Sequence, residues 1–170
     1  MTAAVQEPQA SVPAVGSTAP DFELVNQHGE PVRLSSFRGS NVVLVFYPFA
    51  FSGICTGELC EIRDNLAVFE DANATVLAIS VDSKFALRAY AEQEGYSFEL
   101  LADFWPHGGV ARDYGVFDGD SGMARRGTFI IDAEGMIRYV VVNPRGQARE
   151  LAEYRKVLRD LSIVNLAGRH

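Results

Sequence analysis

Only two of the 170 residues are cysteine, three are histidine and one is tryptophan. Two cysteines cannot build the disulfide framework of a small secreted domain, so a reducing cytoplasm is the expected compartment. The histidines, His28, His107 and His170, show no metal-ligand spacing relative to the cysteines, and a Cys-x4-Cys pair is not the usual zinc-knuckle spacing. No apolar run approaches the ~20 residues a membrane-crossing helix needs. A glycine-rich phosphate loop and a dinucleotide fingerprint are both missing. Basic residues are in deficit: 15 Lys and Arg against 22 Asp and Glu leave a net charge of −7, which argues against nucleic acid or an anionic membrane as partner. No secretory leader is expected, because neither a basic start nor an apolar core precedes the first ordered element.

What is present reads as one soluble domain. A chain of this length buries roughly 70% of its unfolded surface, and a hydrophobic content of 48% with 22% charged residues is ordinary for a globular fold. Residues 1–15 are rich in Ala, Gln, Pro and Ser without periodicity and are expected to form a disordered tail; the domain is expected over 16–165. An N-terminal β-hairpin is expected across the Gln27-His28-Gly29 turn, then a helical turn after Ser35 and Ser36. Val42 to Tyr47 and Ala74 to Val81 read as buried strands. A helix capped by Asp82 or Ser83 runs to about Glu94. Phe98 to Leu101 read as a short strand, and a short helix lies near Val110 to Tyr114, before a loop holding Gly115, Gly119 and Gly122. A hairpin over 128–142 and a last amphipathic helix follow. This order gives an α/β fold, a central mixed sheet flanked by helices on both faces.

The chemistry concentrates where the Val42–Tyr47 strand ends. Pro48 terminates it, and Ile54, Leu59, Ile62, Leu66 and Phe69 then recur at helical spacing. Both cysteines, Cys55 and Cys60, fall at the start of that helix. Unpaired N–H groups and the helix dipole there stabilise a thiolate, so Cys55 is the candidate nucleophile; the alternative is a buried structural cysteine. Ser52, three residues earlier, is placed as the N-cap. Glu58 in the first turns is favoured by the dipole. Cys60 is either a second redox cysteine or a small filler on the helix. Five residues on an ideal helix leave the two Cα atoms roughly 8.7 Å apart, beyond the about 7 Å a disulfide tolerates, so a Cys55–Cys60 bond requires unwinding. Phe49, Phe51 and Trp105 read as core or interface aromatics.

Pro48, Ser52 and Cys55 fit P-x-x-x-[TS]-x-x-C, and the chain resembles the peroxiredoxins, cysteine peroxidases on a thioredoxin-like fold. F-Y-P-F-A-F-S-G-I-C, the later D-F-W-P-H-G (Asp103 to Gly108) and R-G-T-F (Arg126 to Phe129) are similar to the AhpE group, in order from about Gly16 to about Leu161. The resemblance implies a thiol peroxidase acting on hydrogen peroxide or organic hydroperoxides through a Cys55 sulfenic acid, without metal, haem or flavin. It implies that Pro48 shields the sulfur, that the Ser52 hydroxyl contacts peroxide and thiolate, and that Arg126, rather than neighbouring Arg125, brings a guanidinium to the thiol. Serine stands where the family more often has threonine. Cys60 departs from the AhpE pattern and resembles the resolving cysteine of the PrxQ group. Thioredoxin, or mycoredoxin with mycothiol, is the implied reductant, and a homodimer or larger homo-oligomer the implied assembly. The alternatives are a one-cysteine mechanism with a structural Cys60, a peroxide-responsive redox sensor or holdase, and a thioredoxin-type dithiol oxidoreductase. The last is disfavoured because such proteins use Cys-x-x-Cys.

Overall fold

The computed structural model describes residues 9–144 and 146–167. Its centre is the apolar strand β3 (Asn41–Phe46), paired in parallel with β4 (Ala74–Ser80) and antiparallel with β8 (Arg126–Ile131). Four further strands flank this trio: β5 (Glu99–Ala102), β1 (Glu23–Asn26) and β2 (Pro31–Arg33) complete one wing, β9 (Ile137–Asn143) the other. The sheet order is β2-β1-β5-β4-β3-β8-β9. The expected N-terminal hairpin is β1 with β2.

Strand β3 is buried on both faces, and its alternation divides the core. Val42, Leu44 and Phe46 pack into one hydrophobic cluster, Val43, Val45 and Tyr47 into the other. The second cluster is covered by α1 (Gly53–Asp64), α2 (Leu66–Asp71), α3 (Lys84–Glu94) and α5 (Leu151–Ala167). The first is covered by the short α4 (Gly109–Asp113), a 3-10 turn at Leu34–Phe37 and a two-stranded ribbon, β6 (Phe117–Asp118) with β7 (Met123–Ala124). Helices therefore occupy both faces, most of them on the side of Cys55.

Two local expectations need correction. The helix read as continuous from Ile54 to Phe69 is two helices, broken at Asn65 (φ −120°, ψ 24°). There the Asn65 side chain donates to the Glu61 carbonyl at 2.8 Å, a side-chain bond of the kind that competes with the helical ladder. The glycine-rich stretch expected as plain loop contains the β6–β7 ribbon, which turns at Gly122 with φ 68°. Of residues 1–15, expected as a tail, 1–8 lie outside the described residues. Gln9 and Ala10 are tied to the domain, the Gln9 side chain accepting from Phe117 N (2.6 Å) and Ala10 N donating to Arg112 O (3.2 Å). Helix α3 is capped by Ser83, whose Oγ accepts from Ala86 N, and stopped by Gly95 in the left-handed region.

Candidate active site

The parallel strands β3 and β4 end on the same side of the sheet, and the antiparallel β8 begins there. Because Val45 faces Thr128, Arg126 at the start of β8 lies level with the chain leaving β3 toward Pro48. Crevices outside the carboxyl ends of parallel strands are where open α/β sheets hold their ligands. Pro48, buried, leads into a tight loop in which Phe51 adopts φ 67°. A non-glycine residue in that region is strained. The loop is held by three contacts: the Phe51 ring lies 4.8 Å from that of Tyr90, Ser52 Oγ donates to Phe49 O at 2.9 Å, and Ala50 N donates to Asp82 Oδ2 at 2.8 Å. Asp82 is fixed in turn by Ser80 Oγ, which donates to the same oxygen at 2.7 Å. The choice between Asp82 and Ser83 resolves as a division of labour: Ser83 caps α3, and Asp82 anchors the loop before α1.

Ser52 is the N-cap residue of α1 by backbone geometry, but its side chain makes no capping bond. Its hydroxyl turns back to Phe49 O, so the expected bond to the third helical N–H is absent. That third residue is Cys55, fully buried, with its N–H among those a helix start leaves without an intrahelical partner.

Glu58, one turn on, is far more than a residue favoured by the dipole. It is only 8% exposed and is clasped by two arginines, Arg126 and Arg149, themselves 3% and 6% exposed. Arg126 Nη1 donates to Glu58 Oε1. Arg149 gives Glu58 Oε2 its backbone N–H (2.7 Å) and its Nε (2.8 Å), and gives Oε1 its Nη2 (3.1 Å). The remaining Arg149 nitrogen, Nη1, donates to Phe46 O, Gly127 O and Thr128 Oγ1, stitching β3 to β8. Burial pushes the Glu58 carboxyl up, but the hydrogen bonds and charge of Arg149, with Arg126 behind them, hold it below the usual carboxylate range. Cys55 and Glu58 are three apart and share a helix face, so the clasp places two guanidinium groups beside the turn that carries the thiol. Arg125, the rival to Arg126, is exposed.

Nothing in the sequence marks Arg149 as part of this site; it lies outside any strand or helix. Thr128, two residues from Arg126 along β8, meets Tyr154 OH through its Oγ1 at 2.6 Å.

Cys60 is not brought to Cys55. Both cysteines are free thiols on one continuous helix. Cys55 faces the sheet, whereas Cys60 Sγ lies 3.4 Å from Tyr96 OH and 3.5 Å from Glu94 Oε2. Among the described residues no cluster of three or more His, Cys, Asp or Glu could hold a metal. His107 instead meets Gly122 O at 2.7 Å, within the loop after Trp105-Pro106. The aromatics expected in core or interface are not in the core: Phe49 and Phe51 are exposed, and Trp105 is 81% exposed.

The sequence profile of the AhpC/TSA family matches residues 15–140. Alkyl hydroperoxide reductase E of Mycobacterium tuberculosis is 48% identical over 137 residues, covering 80% of this chain and 90% of that protein. Peroxiredoxin-2 of Bos taurus is 36% identical over 164 residues, 91% of this chain and 81% of the relative. Among solved structures, reduced 2-Cys peroxiredoxin of Plasmodium vivax superposes with a TM-score of 0.80 at 28% identity, covering 91% of this chain and 84% of that one. Peroxidoxin BcpB of Mycobacterium tuberculosis gives 0.77 at 34% identity, with 88% and 97% covered. The mixed sheet is thus a thioredoxin-like fold, and the chain belongs to the AhpC/TSA family of peroxiredoxins.

Proposed function

We propose that this chain is a thiol peroxidase in which Cys55 is the peroxidatic cysteine and Cys60 resolves it. The observation that carries the reading is a buried thiol in the first turn of α1, one turn from a carboxylate that gathers two buried guanidinium groups. The Cys55 thiolate attacks the terminal oxygen of hydrogen peroxide or an organic hydroperoxide. The O–O bond breaks, a sulfenic acid remains on Cys55, and the leaving alkoxide or hydroxide takes a proton to become alcohol or water. Arg126 and the Cys55 N–H polarise the departing oxygens, and the Ser52 hydroxyl completes the donor set once it leaves Phe49 O. Pro48, buried and lacking an N–H, keeps water from the sulfur.

Cys60 then attacks the Cys55 sulfur and gives an intramolecular disulfide and water. A dithiol reductant, thioredoxin or mycoredoxin with mycothiol, returns both thiols. The two free cysteines fit a reducing cytoplasm. The exposed aromatics Phe49, Phe51 and Trp105 fit a homodimer or larger homo-oligomer. The one-cysteine alternative draws support from the separate surroundings of Cys60. A peroxide-responsive sensor or holdase would oxidise Cys55 without sustained turnover.

Peptide mass spectrometry after one equivalent of peroxide, with steady-state peroxide consumption in a thioredoxin system, tests the reading. A Cys55–Cys60 cross-linked peptide, loss of all reaction in Cys55→Ser, and slowing by Arg126→Ala far beyond that by Arg125→Ala are expected. Equal effects of the two arginine substitutions would refute the role given to Arg126. A lasting Cys55 sulfenic acid beside a free Cys60 would return the protein to the one-cysteine mechanism.

A further inference from the structure

Two neighbouring features of α1 bear on how it opens. Gly53 and Gly57 both fall in its first five residues; Gly57 is exposed, with nothing within 4 Å of where a Cβ would stand. Interior glycines weaken a helix without any packing need for them here. Against that weakness, one side of the helix is tied to the end of α3. Thr56 Oγ1 meets Tyr90 OH at 2.9 Å, and Tyr96 OH donates to Thr56 O at 3.4 Å. Cys60 Sγ sits between Tyr96 OH and Glu94 Oε2, and Arg63 Nη1 donates to Glu94 O. Tyr96 is buried and stacks edge-on against Tyr90 and more nearly parallel to Phe98, each with ring centroids 5.1 Å apart. These contacts touch α1 at positions 56, 60 and 63, and an unwinding of the Cys60 turn breaks them.

We infer that Glu94 and Tyr96 are a latch on α1 that sets the rate of disulfide formation while leaving peroxide reduction untouched. The inference rests on the reading that Cys60 resolves. In the latched state the Cys60 S–H donates to the Glu94 carboxylate and is turned from Cys55. Release frees the thiol to attack the Cys55 sulfenic acid: the S–S bond forms, the S–O bond breaks, and hydroxide leaves with the Cys60 proton as water. No outside reactant is consumed. Glu94 and Tyr96 are positioning residues, since neither touches peroxide or Cys55.

Two substitutions push the latch in opposite directions. Tyr96→Phe keeps the ring and removes the hydroxyl; losing roughly one net hydrogen bond speeds opening about fivefold. Gly57→Ala stiffens the helix where a methyl group meets open space and slows opening by a similar factor, with no loss of fold stability. On the full-length reduced protein, amide exchange over residues 53–60 should quicken in Tyr96→Phe and slow in Gly57→Ala, while β8 is unchanged. After one equivalent of peroxide, quenched samples read by mass should show sulfenic acid forming at the wild-type rate in both. The disulfide should appear about fivefold faster in Tyr96→Phe and more slowly in Gly57→Ala, which should also accumulate more sulfinic acid under excess peroxide. A disulfide that forms at one rate in all three proteins overturns the latch alone. A wild type that never forms the disulfide overturns the resolving reading and, with it, the assignment of the latch to that step.

Discussion

Replacing Glu58 by glutamine changes one atom and removes the negative charge that sits between two buried guanidinium groups. The glutamate accepts four hydrogen bonds through two oxygens, three from Arg149 and one from Arg126. Glutamine keeps one accepting oxygen, and its amide nitrogen is forced against donors. Two buried cations then remain, with one of the two Glu58 oxygens they share replaced by a donor. Removing one partner of a buried ion pair costs about 3–5 kcal/mol. Against a total stability of about 5–15 kcal/mol, that is a large fraction. Urea unfolding of the wild type and Glu58→Gln at pH 7 should therefore differ by about 3 kcal/mol or more. The pH dependence has a definite sign. Glu58 titrates below its unfolded value of 4.5 in the fold, so its contribution is present above pH 4.5 and is lost as pH falls through the folded value. The gap between the two proteins should narrow in acid. Peroxide reaction should slow as well, because both arginines lose their common anchor. A gap under about 1 kcal/mol at neutral pH, or one that widens in acid, would refute the account of the clasp.

Two other outcomes follow from the geometry. Ser52→Ala should cost no more than about 1 kcal/mol, the worth of the single exposed bond to Phe49 O that it removes, yet should slow peroxide reduction well beyond that; an unchanged second-order rate would leave Ser52 as a loop residue only. Asp103 behaves oppositely to Glu58: burial pushes its carboxyl up to about 6, against the N–H bonds from Ala111 and Val110 that favour the charged form. With a folded value above the unfolded 3.8, its stabilising contribution is complete below that value and is lost as pH rises to about 6, roughly 3 kcal/mol in all. The stability difference between the wild type and Asp103→Asn should fall between pH 4 and 6 and then level; a flat difference would refute the assignment.

The parts of this fold legible in sequence were those where one pattern dominates. Strands β3 and β4 announce themselves as short, wholly apolar runs, and the start of α1 as the place where that run meets Pro48 and then a helical period. Ser83 and Gly95 mark the ends of α3 by cap chemistry. The break at Asn65 was invisible because Leu66 packs against and Phe69 belongs to the cluster that α1 feeds, so the apolar spacing carries across it. Ribbon strands of two residues are too short to show alternation. Arg149 carried no signal at all: it lies outside any strand or helix, and its partner Glu58 is 91 positions away. Ser52 was correctly placed as the cap residue, but which way its hydroxyl points depends on a side-chain torsion that sequence does not encode.

The late position of Arg149 bears on when the site comes into being. Cys55, its loop and strands β1 to β5 precede residue 117, whereas Arg149 and the helix carrying Leu151, Tyr154 and Leu158, which share the cluster of Cys55, are made later. At ~5–20 residues per second, a ribosome needs ~5–20 s to travel from Cys55 to Arg149. Through that interval the growing chain holds its thiol without Arg149 or the cover of α5. A nascent polypeptide therefore lacks the second guanidinium at Glu58 until the segment after β9 has been made and α5 docks.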